Sequence, residues 1–174
     1  MREHGVVLCG MLSEHQCKEL IDFGRNTPFA QGRINADDGS RLHAMRQVDV
    51  WPVDSIKDTL FEFAQEANRT LQYDIEGLVE PPQLLRYPVG SKGYGWHTDL
   101  GYNIAAKRKL SIVAGLNDSY NGGLLQFFIT KVESVRLKRG MVVAFPSWLS
   151  HQVTQVTKTD RWTLAAWVSG PELR

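Results

Sequence analysis

Several features that mark specialised classes of protein are scarce or missing from this sequence. Only two cysteines, Cys9 and Cys17, occur in 174 residues. Their spacing forms neither a CxxC pair nor a zinc-ligand pattern, so we interpret them as small buried thiols in a reducing compartment. No apolar run approaches the roughly 20 residues that cross a bilayer, and the early acid Glu3 argues against a signal peptide. We therefore expect a cytoplasmic protein.

Bulk charge and compositional bias are missing as well. The net charge of +1 gives no electrostatic reason to expect binding to nucleic acid or to a membrane surface. The sequence contains no internal repeat, low-complexity tract or linker, while its 43% hydrophobic and 22% charged residues are ordinary for a globular protein. This length suits one hydrophobic core, so we predict a single domain over residues 1–174.

Two helices are predicted in the first half of the chain. Ser13 followed by Gln16 forms a capping-box pattern, and apolar residues at helical spacing continue it, which predicts a helix over about residues 14–24. A second apolar stripe predicts a helix over about residues 55–72, with Asp54 as its N-cap. The polar, glycine-containing stretch Thr27–Ser40 between them predicts a loop.

Short strands dominate the rest of the sequence. Alternating or apolar runs bounded by turn residues predict strands at residues 6–8, 46–51, 83–87, 109–116, 124–129, 131–137, 141–145, 151–156 and 161–168. Many short strands at this spacing are typical of a sandwich or barrel. We predict a mostly β fold with flanking α-helices. Its core, over about residues 81–170, is a double-stranded β-helix (jelly roll, cupin-like), supported by N-terminal helices within about residues 1–80.

His97 and Asp99 are candidates for metal binding. Two residues at i and i+2 on an extended segment point to the same face, so their side chains can approach one ion together. His151 is the only histidine after His97 and is the natural third ligand. Two histidines and one carboxylate that leave other positions open are typical of non-haem Fe(II) oxygenases. Taken alone, the His-x-Asp triplet also fits a surface turn with a hydrogen-bonded imidazole.

Arg161 is unusual because the strand around it is otherwise apolar. A buried, unpaired guanidinium is costly, so it needs a partner, and the carboxylate of a small molecule suits its bidentate fork. Two alternatives stay open at this point: an ion pair with Asp118 or Glu133, or simple exposure at the end of a strand.

The ordered set of motifs from Gln83 to Ser169 resembles the prolyl-4-hydroxylase-like branch of the Fe(II)- and 2-oxoglutarate-dependent dioxygenases. The resemblance covers about half of the chain. The motifs that carry it are Leu85-Arg86-Tyr87, Gly93-Tyr94, His97-Thr98-Asp99, Leu116-Asn117-Asp118, Gly122-Gly123-Leu124, Phe145-Pro146-Ser147, His151-x-Val153 and Arg161 to Trp167.

The resemblance implies an iron centre and a cosubstrate. His97, Asp99 and His151 would hold Fe(II), with 2-oxoglutarate and O2 as cosubstrates and ascorbate as a candidate reductant. It implies hydroxylation of a substrate coupled to decarboxylation of 2-oxoglutarate to succinate. Because Asp99 keeps the carboxylate ligand that halogenating relatives lose, hydroxylation is favoured over halogenation.

The resemblance also implies a pocket for the distal carboxylate of 2-oxoglutarate. Arg161 would pair with that carboxylate, Thr163 on the same strand face would add a hydroxyl, and Tyr87 would contact the cosubstrate. One departure concerns Gly115, which stands where some relatives have a tyrosine that binds the same carboxylate. Thr163 or Ser111 are the replacements that we consider.

The substrate is less readable than the cofactors. The branch resemblance favours an amino-acid side chain, prolyl among others, in a peptide, a protein or a free amino acid. Candidate substrate residues are Arg46, Asp49, Tyr102, Asn103 and Trp148, and the stretch Gln31–Ser40 is a candidate lid. An ordinary surface or core role is the alternative for each.

A second class of function is a cupin-like jelly roll that binds a metal or a sugar without oxygenase chemistry. Arg161 and Thr163 discriminate between the two classes, because a simple metal-binding jelly roll has no need for them.

Overall fold

The structure is a computed structural model that describes residues 5–28, 30–31 and 49–172, without the side chains of residues 30, 31 and 49. Two α-helices lie in the first half of the chain: α1 spans Glu14–Asn26 and α2 spans Lys57–Leu71. A short 3-10 helix spans Asn103–Lys107. No helix within the described ranges is long and apolar enough to cross a membrane.

Eleven strands in the described part of the chain form two antiparallel sheets. They are β1 (Val7–Met11), β2 (Ala30–Gln31), β3 (Asp49–Pro52), β4 (Gln83–Tyr87), β5 (Tyr94–His97), β6 (Arg108–Gly115), β7 (Leu125–Phe128), β8 (Val132–Val135), β9 (Met141–Pro146), β10 (His151–Val153) and β11 (Arg161–Ser169). The larger sheet has the order β1-β9-β6-β11-β4-β3-β2, and the smaller sheet has the order β5-β10-β7-β8. This arrangement confirms the predicted jelly roll with N-terminal helices.

The larger sheet is buried on both faces, and each face has its own apolar core. One core joins α1 and α2 to the sheet, with Leu20, Leu60 and Leu84 among its buried members. The other lies between the two sheets and includes Phe127 and Phe145. Burial on both faces explains why the central strands are almost continuously apolar.

Polar side chains interrupt this pattern on one face only. Side chains alternate along a strand, and in β11 the residues Trp162 and Leu164 belong to the core beneath the helices. Arg161, Thr163 and Trp167 therefore point into the space between the sheets. In β6, the same alternation places Ser111 in that space. The buried polar side chains of β6 and β11 therefore lie on the same face, in the space between the two sheets.

The predicted helices are confirmed, with one error at a helix end. The Ser13–Gln16 capping box is present at the start of α1. Asp54 is not the N-cap of α2, because a turn at residues 55 and 56 intervenes and Ile56 takes the N-cap position without a side-chain hydrogen bond. A backbone hydrogen bond from Lys57 to the Asp54 carbonyl closes that turn.

The strand predictions differ from the structure mainly at their ends. β10 ends at Val153 rather than at residue 156. Two elements were not predicted: β2 falls within the expected loop and pairs with β3, and the 3-10 helix follows Asp99. Residues 32–48, which include Arg46 and most of the candidate lid, lie outside the described residues.

Candidate active site

Three side chains from two neighbouring strands converge between the sheets. His97 ends β5 and His151 begins β10, and the two residues lie directly opposite each other in the antiparallel pairing. Asp99 follows β5 by two residues, and its backbone N–H donates to the carbonyl of Ser147 at 2.9 Å. One ligand atom from each of the three side chains lies within 4.8 Å of the others. The structure therefore brings together the three predicted ligands.

Backbone contacts orient both imidazoles so that Nε2 of each histidine faces the Asp99 carboxylate. Nδ1 of His97 lies 2.8 Å from the carbonyl of Gly95, and Nδ1 of His151 lies 3.0 Å from the carbonyl of Leu149. Each Nδ1 thus donates to a carbonyl oxygen, and Nε2 is the atom that each imidazole can offer to a metal once it carries no proton. The two Nε2 atoms lie 3.7 and 3.5 Å from the Asp99 carboxylate. This set of two nitrogens and one carboxylate fits a divalent transition metal.

Asp99 is held in the ionised form that a metal ligand requires. Burial alone would raise the pKa of this carboxyl group. The charges of His151 and His97, with hydrogen bonds from Ser111 and Trp167, outweigh the effect of burial, so the pKa of Asp99 lies below its ordinary value.

Aromatic rings fix the orientation of both imidazoles. The ring of Tyr94 stacks on His97 with 3.7 Å between centroids and 22° between planes. The ring of Phe145 packs edge-on against His151 at 4.8 Å. Because both rings are confined, the two imidazoles are pre-organised, which lowers the cost of binding an ion.

Arg161 lies in a second polar pocket of the same interior. Its side chain is 1% exposed, and Nη1 donates to the hydroxyl of Thr163 at 3.3 Å. Its guanidinium lies 5.0 Å from the ring centroid of Tyr87 and 5.8 Å from that of Tyr120. Nε and Nη2 are buried without a hydrogen-bond partner among the described residues.

Neither structural alternative for Arg161 holds. The residue is fully buried rather than exposed, and within the described ranges no carboxylate forms an ion pair with it. Asp118 lies instead at 4.0 Å from Arg139. A buried cation with two unused donors is costly unless an anion binds there. The pocket therefore fits one carboxylate of a small dicarboxylate such as 2-oxoglutarate.

The structure explains the missing tyrosine at Gly115. A Cβ atom at this position would lie 2.7 Å from the carbonyl oxygen of Lys138 and 2.9 Å from Cβ of Leu137, so the backbone of the neighbouring segment fills the space. Besides Tyr87, a second tyrosine borders Arg161: Tyr120, whose hydroxyl donates to the carbonyl of Leu137 at 2.9 Å. The ring of Tyr120, rather than its hydroxyl, faces the guanidinium.

Ser111 lies at the metal end of the interior and not beside Arg161. Its hydroxyl donates to Oδ2 of Asp99 at 2.7 Å and lies 3.0 Å from the hydroxyl of Ser147. Thr163 is therefore the hydroxyl that contacts Arg161. Sequence reasoning missed the roles of Ser111, Trp167 and Tyr120. Alternation along β6 and β11 would have placed the first two on the interior face with Arg161.

The predicted substrate residues are described only in part. Tyr102 is 92% exposed, and Asn103 begins the 3-10 helix after Asp99 with a φ of 57°. Trp148 is exposed, and its indole N–H donates to the hydroxyl of Tyr73 at 2.8 Å. Arg46 and the side chain of Asp49 lie outside the described residues. A substrate role for these residues stays a prediction.

Known proteins resemble this chain in sequence. No protein-family model matches it. A PKHD-type hydroxylase from Hyphomonas neptunium is 30% identical over 154 residues, which cover 83% of this chain and 65% of that protein. A PKHD-type hydroxylase from Cupriavidus pinatubonensis is 33% identical over 109 residues, covering 58% of this chain and 47% of that protein. The chain thus spans about half to two thirds of the length of these relatives.

Solved structures resemble it over almost its whole length. A prolyl-4-hydroxylase from Pseudomonas putida has a TM-score of 0.77 at 19% identity, covering 97% of this chain and 94% of its own. A prolyl hydroxylase from Trichoplax adhaerens, in complex with a hypoxia inducible factor peptide fragment, has a TM-score of 0.73 at 15% identity, covering 95% and 82%. The non-haem α-ketoglutarate-dependent epimerase SnoN has a TM-score of 0.72 at 14% identity, covering 97% and 80%.

At these identities the solved structures show the fold, and the sequence matches show a similarity to hydroxylases. Both agree with the ordered motifs between Gln83 and Ser169. The chain is similar in sequence to PKHD-type hydroxylases, and its fold is that of the prolyl-4-hydroxylases.

Proposed function

We propose that this protein is a 2-oxoglutarate- and Fe(II)-dependent dioxygenase that hydroxylates an amino-acid side chain in a peptide, a protein or a free amino acid. One observation carries the proposal. The same interior holds a preformed triad of His97, Asp99 and His151 and a buried Arg161 with two unused N–H donors. The first suits a metal and the second suits an anionic cosubstrate.

Each side chain has a role in this reaction. Nε2 of His97, Nε2 of His151 and the Asp99 carboxylate hold Fe(II) on one side. Arg161 pairs with the distal carboxylate of 2-oxoglutarate, and Thr163 and Tyr87 border that carboxylate. When bound, iron and 2-oxoglutarate would supply the oxidising power: O2 is consumed, 2-oxoglutarate is split into succinate and CO2, and one oxygen atom of O2 enters succinate while the other enters a C–H bond of the substrate.

The protein contributes orientation and shielding. Two anchor points, the triad and Arg161, fix both ends of a short dicarboxylate and leave it one orientation. Buried aromatic rings between the sheets, Phe127 and Phe145 among them, exclude water from the reacting centre. Asp99 occupies the third ligand position, which favours hydroxylation over halogenation.

The relatives support the proposed substrate class. The sequence relatives are named hydroxylases, and one of the similar structures is a prolyl hydroxylase with a bound peptide fragment. A prolyl side chain is therefore the first to test. The SnoN epimerase shares the same fold, so the site residues, and not the fold, carry the choice of reaction.

The competing reading is a jelly roll that binds a metal or a sugar without oxygenase chemistry. It accounts for the triad but gives the buried guanidinium of Arg161 no anion to pair with. An uncompensated guanidinium in the interior would only destabilise such a protein.

Succinate formation tests the proposed function. The protein is supplied with Fe(II), 2-oxoglutarate and ascorbate and screened against free amino acids and proline-containing peptides. We expect one of them to raise succinate release and to gain the mass of one oxygen atom. Product mass is measured because 2-oxoglutarate turnover can run uncoupled from hydroxylation.

Two histidine variants provide the matched control. His151→Ala removes a proposed ligand and should abolish succinate release. His15→Ala changes a histidine whose side chain is 80% exposed on α1 and should leave the release unchanged. Succinate release that survives in His151→Ala would contradict the assigned metal centre.

A further inference from the structure

Asp99 is the proposed ligand with the least support from its own strand. β5 ends at His97, so the sheet ladder no longer fixes the chain at Asp99. Its carboxylate is instead held from the side by Ser111, whose hydroxyl donates to Oδ2, and the side chain of Trp167 lies beside it. The orientation of this ligand thus depends on residues outside its own strand.

Arg108 contacts the same ligand along two routes. Its Nη1 donates directly to the backbone carbonyl of Asp99 at 3.1 Å. Its guanidinium carbon also lies 3.9 Å from the ring centroid of Trp167, close enough for a cation–π contact that holds the indole in place. One side chain therefore contacts both the backbone of Asp99 and the ring of Trp167, which lies beside the Asp99 carboxylate.

Glu80 fixes Arg108 in turn. Nε of Arg108 donates to Oε1 of Glu80 at 2.6 Å, and Nη2 donates to Oε2, which forms a two-point pair. The two side chains are only 14% and 16% exposed. A bidentate pair that is mostly shielded from water is geometrically defined, in contrast to exposed surface pairs.

We propose that the Glu80–Arg108 pair is a positioning clamp for the metal ligand Asp99. This inference rests on the proposed function, because it assumes that Asp99 binds the metal. Glu80 lies in the connection between α2 and β4, so the clamp ties the ligand to the supporting part of the fold. Neither residue contacts the metal position itself, so both act through Asp99 and Trp167.

The chemistry of the clamp predicts that lysine cannot replace Arg108. The guanidinium makes three directed bonds, two to Glu80 and one to the Asp99 carbonyl, while it stacks on an indole. A lysine ammonium keeps the charge but cannot reproduce this planar fork. Arg108→Lys therefore separates charge from geometry.

Cobalt binding to the whole protein tests the clamp. Co(II) replaces Fe(II), and the dissociation constant and the visible absorption spectrum are recorded, since the spectrum reports ligand geometry. In Arg108→Lys and Glu80→Gln we expect affinity to fall by about tenfold, the lower end of the loss seen when groups that support metal ligands are altered, together with a changed spectrum. Trp167→Phe keeps a ring beneath Arg108 but loses the indole donor, and should change the spectrum as well.

A variant that destabilises the fold away from the metal site controls for loss of folding. Leu20→Ala removes buried side-chain volume where α1 packs on the sheet, in the core beneath the helices. It should lower the melting temperature without changing the Co(II) spectrum. If Arg108→Lys and Glu80→Gln bind Co(II) with the affinity and spectrum of Leu20→Ala, the clamp is wrong although the metal centre stands. If the unmodified protein binds no Co(II), both the clamp and the proposed function fall.

Discussion

At the scale of single residues, the buried guanidinium of Arg161 contacts the rings of two tyrosines. The guanidinium of Arg161 lies 5.0 Å from the ring centroid of Tyr87 and 5.8 Å from that of Tyr120, and the guanidinium of Arg136 lies 5.1 Å from the same Tyr120 ring. Cation–π contacts are stronger in a desolvated setting than at the surface. The rings hold the guanidinium without consuming its N–H groups, so Nε and Nη2 stay available for an anion.

Tyr120 is the residue that tests this arrangement. Tyr120→Phe keeps the ring and loses only the hydrogen bond to Leu137, which we expect to cost about 1 kcal/mol of stability and to leave the affinity for 2-oxoglutarate nearly unchanged. Tyr120→Leu removes the ring and should weaken 2-oxoglutarate binding by about thirtyfold, the equivalent of the roughly 2 kcal/mol of a desolvated cation–π contact. Titration of 2-oxoglutarate into the Mn(II)-loaded variants measures both affinities, and equal loss in the two variants would contradict the role of the ring.

At the scale of elements, the two helices begin in different ways although both looked capped in the sequence. Ser13 accepts a hydrogen bond from the Gln16 backbone at 3.1 Å, and the Gln16 side chain accepts one from the Ser13 backbone at 2.9 Å. α2 begins after a turn, at Ile56, and Asp54 contributes only its backbone carbonyl. Ser13 and Asp54 have similar N-cap propensity, but only the Ser13 side chain caps a helix in this fold.

A pair of alanine substitutions measures this difference. Ser13→Ala should lower the free energy of unfolding by about 1 kcal/mol, since it leaves helix N–H groups of α1 without a partner. Asp54→Ala should change it by no more than a few tenths of a kcal/mol, the usual range for a surface substitution away from a cap. Urea denaturation gives both values. A larger loss in Asp54→Ala than in Ser13→Ala would contradict the observed helix start.

The sequence was informative wherever a local period or motif carried the signal. The strand Gln83–Tyr87 was predicted to the residue, and the triad was predicted because His97 and Asp99 are two residues apart and the chain has few competing histidines. The 3-10 helix after Asp99 was not predicted, because it has no apolar period of its own. The contact of Glu80 with Arg108, 28 residues apart, arises only from the packing of distant segments.

At the scale of the whole molecule, one sheet separates the candidate active site from the two supporting helices. The seven-stranded sheet carries the helices on one face and the interior of the jelly roll on the other. Cys9 and Cys17 lie in the core on the helix side and are both buried. The two thiols therefore lie on the opposite face of the sheet from the candidate active site. Their reactivity reports how often the core beneath the helices opens.

The two cysteines provide a test of that core. Burial raises the pKa of Cys9 to about 12, and it also raises the pKa of Cys17. A thiol in the unfolded chain ionises at about pH 8.5, so the neutral folded form is fully favoured below that pH and loses its advantage as the pH rises toward the folded value. We expect slow labelling by a thiol reagent in the native protein and fast labelling in urea.

The same shift predicts an alkaline loss of stability. Between about pH 8 and about pH 10 the contribution of Cys9 should fall by about 1–2 kcal/mol, because ionisation favours the unfolded chain. Urea midpoints at the two pH values measure the change, and Cys9→Ala should show a smaller decrease than the unmodified protein. Rapid native labelling at about pH 8 would contradict a closed core.

The most direct test of the central claim, that one interior binds both a metal and 2-oxoglutarate, is thermal unfolding with Mn(II) alone and then with Mn(II) and 2-oxoglutarate. We predict that Mn(II) stabilises the protein and that 2-oxoglutarate at 100 times its Kd adds about 2.7 kcal/mol. Arg161→Gln should keep the Mn(II) effect and lose the second one. Arg139→Gln, a change to a half-exposed arginine that makes only long ion pairs, should keep both. Stabilisation by Mn(II) with no added effect of 2-oxoglutarate in the unmodified protein would contradict the account.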